Sequence, residues 1–166
     1  SALMQCGTPR NYFVFDFTEK DYSFRYKGIG MDASRQMNIW IAGIDSTDVY
    51  IDELRNKPQG EMLVTVYGAS DSTVVRCRLD NGEWLLCEKK QEELDVNVAR
   101  VRSWNQLKIY PTRFNRRNPF RRQFSPQIWG LQLPKECCEG VHLIAVEASD
   151  QWGFKASGER CFYYQR

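Results

Sequence analysis

The chain has 166 residues and a mass of 19.5 kDa, the length of one ordinary domain or of a domain with a structured extension. Hydrophobic residues make up 42% and aromatic residues 13%, against 27% charged and a net charge of +2, which excludes a compositionally disordered chain and supplies ample core material. His142 is the only histidine, so no zinc cluster with two imidazoles and no His-bridged dimetal centre can be built from this chain. Neither a Gly-x-Ser-x-Gly elbow nor a glycine-rich phosphate loop occurs, and catalysis within the chain is not expected. The longest apolar run, Ile39 to Ile44, is far shorter than the roughly 18 residues a membrane-spanning helix needs. Ser1-Ala2-Leu3-Met4 has neither a basic n-region nor an apolar h-region and reads as the continuation of a longer polypeptide.

In chain order, Phe13, Phe15 and Phe17 alternate with other residues and share one face of an extended strand. After the polar break Thr18-Glu19-Lys20-Asp21, Tyr22, Phe24 and Tyr26 alternate again, which predicts a hairpin with an aromatic side. A third strand is expected at Met37 to Ile41. Val49, Ile51 and Leu54 beside acids suggest a short helix or turn, and Lys57-Pro58-Gln59-Gly60 reads as a linker. The expected division is an N-terminal β-meander over residues 1–59 and a second unit over 60–166, the two forming either separate parts or one continuous compact body. From Glu61 the strands are short, antiparallel in pattern and separated by glycine-bearing turns, as in an immunoglobulin-like sandwich. Val75, Cys77 and Leu79 alternate with Arg76 and Arg78, and Asp80-Asn81-Gly82 returns the chain to Trp84-Leu85-Leu86. Glu92 to Trp104 has helical character. Gly140 precedes a long strand whose faces sort as His142, Ile144, Val146 and Ala148 against Val141, Leu143, Ala145 and Glu147, and Ser149 to Gly153 turns it into Arg160 to Tyr164. The fold class expected is all-β, with the aromatic meander packed on an immunoglobulin-like antiparallel sandwich.

Residues 100 to 122 carry eight basic side chains and no acid. Within that segment Arg113, Arg116, Arg117, Arg121 and Arg122, interleaved with Phe114 and Phe120, are the candidate surface for an anionic polymer or for docking an acidic neighbouring domain. A solvated loop or such a docking surface is the plainer reading, because no nucleic-acid fold signature accompanies the patch. Cys6, Cys77, Cys87, Cys137, Cys138 and Cys161 follow no metal-ligand spacing. A two-residue loop at Asn81-Gly82 would put Cys77 and Cys87 on opposite faces and disfavour a bridge, whereas a three-residue loop would shift that register. Mostly reduced, packed cysteines are therefore expected. His142 reads as a partly buried structural imidazole. The five tryptophans are either core or a glycan-stacking platform, and core is the ordinary reading for most. Asp45, Asp48, Asp52 and Glu53 lack calcium-loop spacing and read as a solvated acidic face.

Several of these segments, in order, resemble the C-terminal domain that follows the catalytic domain in a group of bacterial, largely Bacteroidetes, calcineurin-like metallophosphoesterases. The residues that carry the resemblance are Gly7-Thr8-Pro9, Phe13, Phe15, Tyr22, Tyr26-Lys27, Gly30 and Gln36-Met37-Asn38-Ile39 in the front part. In the rear part they are Asp80-Asn81-Gly82-Glu83-Trp84, Gln127-Ile128-Trp129, Leu133-Pro134, Gly140-Val141-His142 and Ala148-Ser149-Asp150 with Gly153. Residues 88–122 match nothing in it. Catalysis in such enzymes uses a pair of divalent metal ions held by Asp-x-His, Gly-Asp-x-x-Asp, Gly-Asn-His-Glu/Asp and Gly-His-x-His motifs, none of which occurs here. The resemblance thus implies a non-catalytic accessory domain without cofactor, whose partner is an upstream phosphate-ester hydrolase domain carrying the metal pair, in an exported protein. A glycan- or polyanion-binding module is the alternative from another class, and a self-associating adhesion-type sandwich a third.

Overall fold

The computed structural model describes residues 4, 6–45, 52–107, 123–134 and 138–165. Strands β1 (Asn11–Phe17) and β2 (Tyr22–Gly28) form an antiparallel hairpin with Phe13 opposite Tyr26, Phe15 opposite Phe24 and Phe17 opposite Tyr22. Residues directly opposite share a face, so the period-two pattern gathers all these rings on one side.

The remaining strands form two four-stranded sheets. The first contains β3 (Met37–Ile41), β4 (Glu61–Val66), β7 (Glu88–Lys89) and β8 (Ile128–Gln132), in the order β3-β4-β8-β7. The second contains β5 (Val74–Leu79), β6 (Leu85–Leu86), β9 (Gly140–Ser149) and β10 (Lys155–Tyr164), in the order β10-β9-β5-β6. All their pairings are antiparallel. Alternate residues of the two sheets meet in the main core: Met37, Ile41, Met62, Val64, Val66 and Trp129 from the first, and Val75, Cys77, Ile144, Val146, Ala148, Ala156 and Phe162 from the second. Each fully buried aliphatic or aromatic side chain there contributes about 1.5–3 kcal/mol relative to exposure.

The intervening residues of β3, β4 and β8 build a second core. Trp40, Leu63 and Ile128 point away from the sandwich and pack with Leu54 of α1 (Asp52–Arg55), with Leu94, and with Val96 and Ala99 of α2 (Val96–Gln106). That arrangement explains why Met62 to Val66 are buried without interruption, whereas β5 keeps the alternation of a strand with one wet face. The helix starts within the stretch expected to be helical, Glu92 to Trp104, and runs two residues past its end.

The third strand of the expected meander, β3, pairs with β4, with Ile39 opposite Val64, and not with the aromatic hairpin. Met37 and Ile41 therefore share the main core with Met62 and Val64 across the Lys57-Pro58-Gln59-Gly60 segment. The hairpin instead leans on the second sheet. The Phe24 amide donates to the Gly153 carbonyl at 2.9 Å, and the Phe24 and Phe154 ring centroids are 5.7 Å apart.

The turn after β5 also differs from the two-residue loop considered from sequence. Cys77 pairs with Leu85 and Arg76 with Leu86, and Asp80, not Asn81 or Gly82, holds the left-handed conformation with φ 52°. The loop is thus the three-residue kind that shifts the register. Asp80 accepts this conformation because its carboxylate is held from outside the turn, as described below.

Candidate functional site

The segment leading into β1 is fastened to the body at several points. The Ser125 hydroxyl donates to the Cys6 carbonyl at 2.8 Å, Thr8 Oγ1 to Gln127 Oε1 at 2.5 Å, and the Tyr26 hydroxyl to the Pro9 carbonyl at 3.0 Å. Gly7 has φ 87°, and a Cβ there would lie 2.0 Å from Asp95 Cγ, so only glycine fits. Asp95 is 1% exposed. Its Oδ2 accepts from Thr65 Oγ1 at 2.7 Å, and its Oδ1 accepts from the amides of Asn97 and Val98, which caps the first turn of α2. Burial pushes its carboxyl above the usual range, opposed by these same hydrogen bonds. Burial likewise pushes the neighbouring Tyr67 up to about 12. Sequence reasoning missed Asp95, although an Asp immediately before a helical pattern is a readable cap signal.

Just beyond this anchored segment the aromatic hairpin leaves the body. Near its base, Phe13 is held against Gly68, and Tyr26 is fully buried. Towards the tip the cover runs out: Phe15 is 50% exposed, Phe17 77% and Tyr22 42%. These rings cover one another, with centroids 5.2 Å apart for Phe15 and Phe24 and 6.2 Å apart for both Phe15–Phe17 and Phe17–Tyr22. Trp152 precedes Gly153, whose position abuts the Tyr22 carbonyl, and it adds another exposed ring at the same end. The opposite face of the hairpin carries Tyr12 and Val14 among polar side chains, with Arg25 and Asp16 paired at 2.7 Å.

Two further clusters lie on or beside the second sheet. His142 Nδ1 lies 2.8 Å from Asp80 Oδ2, and Nε2 lies 2.8 Å from the Cys138 carbonyl oxygen. Asp80 Oδ1 accepts the Leu143 amide at 2.9 Å. The His142 ring also packs on Phe162 at 5.6 Å, so the imidazole is structural, as its strand face suggested. On the outer face of β5, the guanidinium groups of Arg76 and Arg78 lie over the Trp84 ring at 4.8 and 4.9 Å, and Arg76 pairs with Glu147.

The candidate docking residues Arg113, Arg116, Arg117, Arg121 and Arg122 lie outside the described residues, as do Asp48 and Cys137. Asp45 is not part of a solvated acidic face. Its carboxylate is engaged by Arg160 and by the Ile41 amide, which ties the β10 edge to β3. Trp40 and Trp129 are core, Trp84 and Trp104 are half-buried, and Trp152 is exposed. Among the described residues no group of three or more His, Cys, Asp or Glu side chains is arranged to hold a metal ion, and no helix is long and apolar enough to cross a membrane.

A family model described as the C terminal of calcineurin-like phosphoesterase matches residues 1–155. No curated protein and no solved structure matches the chain.

Proposed function

The chain belongs to the family of C-terminal domains of calcineurin-like phosphoesterases, and on that premise we propose that it is an accessory domain that docks through its aromatic hairpin on the catalytic domain of the same polypeptide. The observation that carries this reading is the graded exposure of one ring face, buried at Tyr26 and bare at Phe17, on the element that directly follows the anchored lead-in segment. Contiguous exposed aromatic surface of this kind favours a protein partner. A catalytic domain tethered to a fixed point beside the hairpin has a high effective concentration there, so even a small contact is well populated. The metal pair and the hydrolytic chemistry reside in that partner, and this domain orients it or shapes access to it. Export of the parent protein from the cytoplasm is part of the same proposal and rests on the resemblance of the residues quoted above.

The test compares the full polypeptide with this chain alone by amide hydrogen exchange. Strands β1 and β2 are expected to exchange at least tenfold more slowly in the full polypeptide, and Phe15→Ser/Phe17→Ser is expected to abolish the difference while leaving the circular dichroism of the chain unchanged. Equal exchange in the two contexts would refute docking through the hairpin.

A further inference from the structure

Ten positions separate Cys77 from Cys87, and the three-residue turn between them changes their relationship. With Arg76 opposite Leu86, Cys87 stands opposite Val75, and its amide donates to the Val75 carbonyl at 2.9 Å. Val75 and Cys77 both face the main core, and Cys87 packs against that same core, so the two thiols share one face in diagonal cross-strand positions. Cys87 also occupies the corner between β6 of the second sheet and β7 of the first, where the chain turns away from the regular ladder. The two thiols interact, each altering the other's hold on its proton. Cys77 is buried, whereas Cys87 is half-buried and gives an oxidant its approach.

We propose that Cys77 and Cys87 form an intramolecular disulfide when the domain meets a small-molecule disulfide oxidant of the glutathione class. Cys87 loses its thiol proton, attacks one sulfur of the oxidant and expels a small thiol, leaving a mixed disulfide. Cys77 then loses its proton and attacks the Cys87 sulfur, releasing the second small thiol. One S–S bond forms and one breaks, two protons leave the protein with two electrons, and the oxidant becomes two thiols. Before oxidation the Cys87 side chain holds the Cys77 thiol below the ordinary range, while Cys77 and burial hold Cys87 above it, so access and not acidity makes Cys87 the first to react. The bridge would fasten β5 to the crossover between the sheets. The other described cysteines are placed differently: Cys138 and Cys161 are exposed, and Cys6 donates to Thr8 Oγ1.

The experiment equilibrates the intact chain in glutathione buffers of graded potential, blocks free thiols under denaturing conditions and maps linked peptides without reduction. The expected result is a loss of about 2 Da for a link between positions 77 and 87, while Cys138 and Cys161 take up glutathione adducts. The thermal midpoint should rise by roughly 5 °C in the oxidised chain. Cys77→Ala and Cys87→Ser should each remove the link and the redox dependence of the midpoint, each variant being compared with itself in reduced and oxidised buffer so that its own packing loss cancels. Full alkylation of both cysteines after oxidation would overturn the proposal, as would a link from either one to another cysteine or a midpoint lowered by oxidation. None of these outcomes bears on docking through the hairpin, whose aromatic rings lie on different strands.

Discussion

His142 presents both ring nitrogens to oxygen atoms, a carboxylate at Nδ1 and a backbone carbonyl at Nε2. Two acceptors around one ring are both satisfied only by the imidazolium, so the hydrogen bond to Asp80, followed by that to the Cys138 carbonyl, raises the pKa of His142 above its ordinary value of 6.5. Asp80, for its part, is held below the usual carboxylate range by the same hydrogen bond and by the Leu143 amide. The linkage has opposite signs at the two ends. Stability from the raised His142 is fully present below pH 6.5 and is lost as pH rises through the folded pKa, whereas stability from the depressed Asp80 is present above pH 3.8 and is lost as pH falls through its folded pKa. A histidine Hε1 titration by NMR should therefore give a midpoint above 6.5 that returns towards it in Asp80→Asn, and the stability gap between the native chain and His142→Gln should close at alkaline pH. A midpoint at or below 6.5 would contradict the imidazolium reading. Gly7 makes a different residue-scale case, since both its positive φ and its contact with Asp95 exclude a side chain. Gly7→Ala should cost about 3 kcal/mol in urea unfolding, an effect that composition and periodicity give no hint of.

Among the elements, α2 depends on a single buried carboxyl for its start. Asp95→Ala removes the cap and leaves Thr65 Oγ1 without its partner, and should cost about 2 kcal/mol. Asp95→Asn keeps an acceptor for the Asn97 and Val98 amides and removes a charge that burial disfavours, so its stability at neutral pH should equal or exceed that of the native chain by chemical denaturation. The strands were the most legible elements, because β1, β2, β5 and β9 each have one face that differs in polarity from the other and period-two alternation records it. The hairpin register at Cys77 was not so legible. It is set by Asp80, whose carboxylate bonds to residues 62 and 63 positions away, and no local turn rule contains that contact. The partner of β3 was hidden for a related reason: Met37 to Ile41 has the same alternation whether it pairs with Tyr22–Gly28 or with Glu61–Val66.

At the scale of the whole molecule, the shared core makes residues on both sides of the Lys57-Pro58-Gln59-Gly60 segment interdependent. A fragment of residues 60–166 would lack β3 beside β4 and would expose Leu63 and Val64 to water. It should fail to give a cooperative thermal transition by circular dichroism, whereas the intact chain should unfold in one step; a sharp transition for the fragment would show that the second part is autonomous. The candidate arginines at positions 113 to 122 could be named from charge alone, but composition carries no information about their placement. Finally, the sandwich has four sheet edges, and each is guarded. The β6 and β7 margins are two residues long apiece, and the longer β3 and β10 margins face one another, with Arg160 donating to the Ile39 carbonyl at 2.6 Å. Among the described residues these two sheets offer a foreign strand no long row of open amides and carbonyls to template on, so edge-to-edge growth into fibrils would have to start from the seven-residue outer edge of β1 in the hairpin and not from the sandwich.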